Sequence, residues 1–311
     1  MTIQSTRRAI IQASIGASMW GIGGICSNFI FDTTSATPQW LVAMRMFWSG
    51  LCMLLVAKAT HQDIWGIWRN RRAATRLVAF GIVGVLAAQL TYLLAIYYGN
   101  ATVATILLAL VPAMITVIVS VKQRALPRPI DSMAIFAALT GVFLLVTNGN
   151  VHALGVPLLA VFWGVMGAAT GVAYTLLPRP LITNYAPTIV VGWGLTLGGG
   201  VANLIHPFWR IPHGLTPSTW LAVVFVIFGA TLLAYILYVS SLKTLAPAVT
   251  SMIGNFEPLT ATILSVLFLN IDFHPLQFAG IVIVLLAVFA MSWQPAKKRQ
   301  LHKRRLTRHG A

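Results

Sequence analysis

The stretch "NATVATILLALVPAMITVIVS", residues 100–120, decides the fold, because "APAVTSMIGNFEPLTATILS" at 246–265 lines up with it at an offset of 146 residues. The alignment superposes Ala101 on Pro247, Val103 on Val249, Pro112 on Pro258 and Thr116 on Thr262. The same offset puts Gly141 on Ala287 and Ala134 on Gly280, small residues on small ones. Identities are few, so order and spacing carry the match. Each copy is about the 20 apolar residues that a helix needs to cross the hydrocarbon layer.

The chain of 311 residues is 58% apolar and only 8% charged, and its mean hydropathy is +0.84. Those values lie outside the range of water-soluble domains and specify an integral membrane protein. Apolar segments recur at roughly 9–30, 38–58, 75–97, 101–121, 130–147, 155–177, 187–206, 218–241, 246–270 and 276–293. The expected fold is therefore all-α, with ten transmembrane helices in two halves of five. An odd number of crossings makes the second half enter the membrane from the opposite side, so the repeats are inverted, a frequent design among secondary transporters. The division is 1–149 for the first repeat, 150–294 for the second and 295–311 for a basic tail.

A formal net charge of +16 would suggest a polyanion partner in a soluble protein. Here the charge is one-sided. With the N-terminus cytoplasmic, every one of the 21 Lys and Arg residues except Arg45 and Arg210 falls on the cytoplasmic side. Cytoplasmic retention of basic residues during insertion explains this without nucleic acid. Both termini are expected in the cytoplasm of a multi-pass plasma-membrane protein, with the tail "KKRQLHKRRLTRHG" against anionic inner-leaflet lipid. Arg7 and Arg8 precede an apolar stretch too long for a cleaved signal, so it is read as an uncleaved first helix. The connection 58–74, with Ile64, Trp65, Ile67 and Trp68, reads as a segment along the membrane surface. Cys26 and Cys52 fall at different depths and should not pair.

The two five-helix halves, with "WGIGG" (20–24), "NATVATILLALVP" (100–112) and "NFEPLTATILSVLFL" (255–269), resemble the EamA family of the drug/metabolite transporter superfamily. The resemblance implies a central cavity lined by helices 1 to 4 and 6 to 9, with helices 5 and 10 peripheral. It also implies secondary transport of a small metabolite, an amino acid or related amphipathic solute, usually outward. A multidrug or cation exporter of the same superfamily is the alternative. No Gly-rich Lys-Ser/Thr loop is present, so ATP-driven pumping by this chain alone is not expected, and no cofactor is expected.

Glu257 is the sole glutamate of the chain and is followed at once by Pro258. A carboxylate near the bilayer centre demands a partner, water or a proton. Three roles stand open: coupling through a proton taken up or released as access alternates, a static ion pair with Arg45 of helix 2, and bending and packing of helix 9. Pro258 lacks an N–H and frees the Gly254 carbonyl, as Pro112 frees that of Leu108 in helix 4. Paired helix breaks in corresponding positions of two repeats point to a transporter's binding region. Arg45 is read either as a carboxylate-binding group or as a side chain that snorkels to outer headgroups or pairs structurally, the latter favoured.

Further substrate candidates are Trp20, Gln89, Tyr92, Tyr174, Tyr235 and Asn255, all on helices expected to face the cavity. Their aromatic rings and amides could stack on or hydrogen-bond a small solute, or join helices to one another. A membrane-embedded enzyme is the reading from another class. It would use His152, His206, His213, Asp272 and His274, but these come from separate loops and lack helical ligand spacing, so neither a metal nor a catalytic residue is expected.

Overall fold

The computed structural model describes residues 3–124, 126–150, 154–241, 244–245, 247–269 and 271–292. The basic tail, His152 and Lys243 lie outside them. The described residues form ten main helices and no strand: α1 (Ile3–Thr33), α2 (Pro38–Ala59), α3 (Arg71–Tyr98), α4 (Ala101–Gln123), α5 (Pro129–Thr147), α6 (Leu158–Leu176), α7 (Pro187–Ile205), α8 (Pro217–Ser241), α9 (Pro247–Gly254 and Phe256–Phe268) and α10 (Pro275–Ser292). Eight are long and apolar enough to cross a membrane, and the other two are shorter apolar helices. Large apolar side chains such as Leu139, Phe162, Leu221 and Leu286 cover the outside, the arrangement that lipid rather than water would solvate.

Capping residues set the helix starts. Thr37 Oγ1 accepts from Trp40 N at 3.3 Å to open α2, Asn70 accepts from Arg72 N and Ala73 N to open α3, and Asn100 accepts from Val103 N at 2.9 Å to open α4. Thr216 and Thr219 form a reciprocal capping box at α8. Each cap satisfies amides that water alone would otherwise have to satisfy at the membrane boundary.

The helices pack by a rule of exchange between halves. The most extensive contacts are α2 with α7 and α5 with α10, each helix against its own repeat counterpart. The contact of α1 with α8 is mirrored by that of α3 with α6, and α1 with α9 by α4 with α6. Such mirrored pairs follow from a pseudo-twofold axis. Directions agree: a Cβ on Gly50 would lie 2.5 Å from Thr196 N, one on Gly192 3.0 Å from Leu54 Cδ2 and one on Gly199 2.5 Å from Phe47 N, so α2 and α7 run antiparallel. In α5 and α10, Gly141 and Gly280 bring the two backbones together, each with a hypothetical Cβ within 2.6 Å of the other's carbonyl oxygen. Small residues at helix crossings permit this approach.

Two local distortions repeat with the halves. Phe80–Leu86 of α3 and Phe225–Leu233 of α8 are wide, π-type turns, and Thr231 Oγ1 donates to Val226 O, five residues back, at 2.7 Å. In α4 the helix is interrupted between Leu108 and Val111, where Leu110 N bonds Leu107 O at 3.1 Å. In α9 the interruption falls at Asn255, whose N bonds Met252 O at 3.2 Å. Pro112 and Pro258 sit just past the two breaks.

Two expectations change. The connection after α2 does not simply lie on the membrane: Ile67 is fully buried, Trp193 of α7 donates its Nε1–H to Ile64 O at 2.8 Å, and Trp65 and Trp68 rings each stand 5.1 Å from that of Trp193. The amphipathic turn Gly66–Arg69 docks on the bundle because its apolar face finds α7. Arg45 does not snorkel, since it is 9% exposed and bonded inside the bundle. Asn28 serves structure, donating to Asp32 Oδ2 at 2.6 Å and accepting from Ala101 N at 3.2 Å. Cys26 and Cys52 are free thiols.

Candidate functional site

A cavity of about 170 Å³ lies at the centre of the bundle, bounded by α1, α2, α3, α4, α6, α8 and α9. Trp20 of α1, Arg45 of α2, Gln89 and Tyr92 of α3, Tyr174 of α6, Tyr235 of α8 and Glu257 of α9 all line it. They come from both halves of the chain. Asn255 does not line it; it occupies the α9 break, and its Nδ2 is buried without a hydrogen-bond partner. Pro112 and Pro258 flank the breaks and do not reach the cavity.

One chain of hydrogen bonds ties four helices across the site. An Arg45 terminal N–H donates to Gln89 Oε1, Gln89 Nε2 donates to Tyr235 Oη at 3.5 Å, and Tyr174 Oη donates to Tyr235 Oη at 2.9 Å. Gln89 and Tyr235 are themselves related by the 146-residue offset, so the chain crosses the pseudo-twofold axis. Trp20 stacks edge-on to Tyr235 with centroids 5.3 Å apart and lies 4.8 Å from Tyr238. The result is a polar seam set in an aromatic wall.

The two ionisable groups of opposite sign face this space without pairing. Among the described residues the ion pairs within 4.0 Å are Arg69 with Asp63 and Arg128 with Asp131, and neither Arg45 nor Glu257 is in one. Arg45 Nε and Tyr92 Oη are buried with no hydrogen-bond partner. Buried polar atoms are nearly always satisfied, so these two require a reason.

Glycines of α1 also shape the cavity. A Cβ on Gly24 would meet Tyr92 Oη at 2.8 Å, and one on Gly23 would meet Ala230 Cβ at 2.4 Å. Larger residues there would displace the α3 and α8 walls. Gly21 lies one residue beyond Trp20, where a Cβ would meet Glu257 O at 2.6 Å, so α1 presses on α9 backbone to backbone at its break. The signal for these positions was "WGIGG" itself.

Two threonines of α4 face neighbouring groups rather than the cavity. Thr102 donates to Ser265 Oγ at 2.9 Å and joins α4 to α9, while Thr105 bonds its own helix. No group of three His, Cys, Asp or Glu side chains suited to a metal occurs among the described residues.

The EamA-like transporter family model matches residues 7–147 and 158–293, one copy in each half. The chain belongs to the EamA-like transporter family. It is 32% identical over 288 residues to the inner membrane transporter YicL of Salmonella typhimurium, covering 93% of this chain and 96% of that one. It is 24% identical over 297 residues to the transporter YwfM of Bacillus subtilis, covering 92% of this chain and 94% of YwfM. A solved crystal structure with 17% identity superposes with a TM-score of 0.64 over 91% of this chain and 96% of that one, a likeness of fold. The molecule is thus a multi-pass membrane transporter of the EamA type.

Proposed function

We propose that this EamA-like transporter moves a small zwitterionic metabolite, an amino acid or close relative, by secondary active transport with alternating access around the central cavity. Export is the proposed direction. The observation that carries the reading is that Arg45 and Glu257 face one cavity unpaired, with Arg45 held by Gln89 between aromatic walls. A solute carboxylate would meet the Arg45 guanidinium, including its unpartnered Nε, and Tyr92 Oη would donate to the same solute. Glu257 would face the solute's ammonium group or carry the coupling proton. Trp20 and Tyr235 would cover the apolar part.

A multidrug or cation exporter is the second reading. The cavity volume of about 170 Å³ favours a small solute, because sites for drug-sized ligands occupy about 300–1,000 Å³. The halves 1–149 and 150–294 are proposed as the rocking units, with both termini cytoplasmic and the tail 295–311 against anionic lipid.

The test is a metabolite-wide comparison of the medium from cells overproducing the intact chain and the Glu257→Gln form. One or a few zwitterionic metabolites should accumulate outside only with the intact chain. Identical exported profiles would contradict the assignment.

A further inference from the structure

A second cavity, of about 460 Å³, lies outside the central one, between α4, α5 and α6. Its walls are apolar: Leu110, Met114 and Val117 on α4, Ile135 and Leu139 on α5, Ala169 and Val172 on α6. The partition between the two spaces is the crossing of α4 on α6, where a Cβ on Gly171 would stand 2.7 Å from Val111 Cγ2. Gly171 lines the central cavity and Val172 the outer one. The outer groove therefore runs directly behind the α4 break.

All three walls end, at one end of the bundle, in a basic residue. Ile118 of the groove is about one turn from Lys122, and Ala173 under two turns from Arg179 along the chain. Arg124, with a left-handed φ of 50°, closes α4 and turns the chain toward α5. Lys122, Arg124 and Arg179 are exposed and have no ion-pair partner among the described residues. Arg128 is otherwise engaged, with Nε and a terminal N–H both on Asp131 at 2.6 and 2.8 Å.

We infer that this groove is a binding site for an anionic phospholipid, with an acyl chain along the apolar wall and the phosphate at Lys122, Arg124 and Arg179. The occupant follows from the combination. An apolar slot in a membrane-spanning segment takes hydrocarbon, and three unpaired cations within about two helical turns of its lining along the chain select a negative headgroup over a zwitterionic one. A zwitterionic lipid would fill the slot without that selection. Bound there, the lipid packs against the segment of α4 just past its break, where the first and second halves of that helix must turn relative to each other if the break serves as a hinge.

The experiment uses the purified full chain, incubated separately with phosphatidylglycerol and phosphatidylcholine that carry a photoreactive acyl chain, with retained adducts counted by native mass spectrometry and crosslinks mapped. Phosphatidylglycerol should be retained about tenfold better, as a few surface cations suffice to produce. Its crosslinks should fall within 110–118, 135–139 and 169–173. Lys122→Gln with Arg124→Gln should lower the headgroup preference at least severalfold while leaving the crosslinked positions unchanged. Ala169→Trp, and on the facing wall Leu139→Trp, should remove groove crosslinks for both lipids. Equal retention of the two lipids by the intact chain would overturn the inference. So would crosslinks spread over all outer faces, or left in place by both tryptophan variants.

Discussion

Arg45 and Glu257 share the central cavity and form no ion pair with each other. Glu257→Gln keeps the shape and hydrogen-bonding capacity of the side chain but cannot ionise, so the variant should insert and fold normally yet transport poorly or lose its dependence on pH. Transport assays across a pH series in reconstituted vesicles check this, and an unchanged profile would remove Glu257 from coupling. Arg45→Ala should weaken transport of anionic and zwitterionic solutes by about tenfold or more, as loss of a charge-assisted hydrogen bond does, with cations affected less. Equal losses for all solutes would mean a structural Arg45. Gln89→Ala should raise the KM for the same solutes in the same direction, because Gln89 Oε1 holds the guanidinium. The Arg45→Ala, Gln89→Ala double variant should then fall well short of the sum of the singles. Composition and depth made Glu257 and Arg45 legible as candidates, and seven of the eight substrate candidates meet at one cavity. The partner of Arg45 was not legible, since Gln89 lies on a different helix 44 residues away and nothing local marks the pair. Asn255 was misplaced because the α9 break, read correctly from Pro258, takes Asn255 out of the cavity wall.

At the scale of elements, paired distortions make corresponding helices of the two halves soft in corresponding places. The breaks in α4 and α9 were legible from Pro112 and Pro258, since a proline always removes a donor. The wide turns of α3 and α8 were not read, although "FGIVG" at 80–84 and "FVIFG" at 225–229 carry them. In each, the phenylalanine ring folds onto the glycine four residues on, with the hypothetical glycine Cβ 2.8 Å from the ring. Wide turns of this kind often mark functional sites, and these two lead into Gln89 and Tyr235. The crossing of α1 on the α9 break tolerates no side chain at Gly21. Gly21→Val should cost about 1–3 kcal/mol through overpacking. Thermal unfolding of the detergent-purified protein would register it as a lowered midpoint, and a midpoint equal to that of the intact chain would mean the crossing is looser than the geometry states.

The repeat offset and the ten apolar segments pointed to one architecture, and the helix contacts obey its symmetry. That agreement has a physical origin: bilayer thickness acts on each segment separately, so it leaves its record in local sequence. Cavities do not, because they form where distant helices fail to touch. Equivalent connections of the two halves should lie on opposite sides of the membrane. In a chain with Cys26 and Cys52 replaced by alanine, single cysteines at Thr60, between α2 and α3, and at His213, between α7 and α8, test it most directly. Labelling of intact cells with a membrane-impermeant maleimide should modify His213→Cys and leave Thr60→Cys untouched until the membrane is opened. Modification of both from the same side would contradict the inverted architecture.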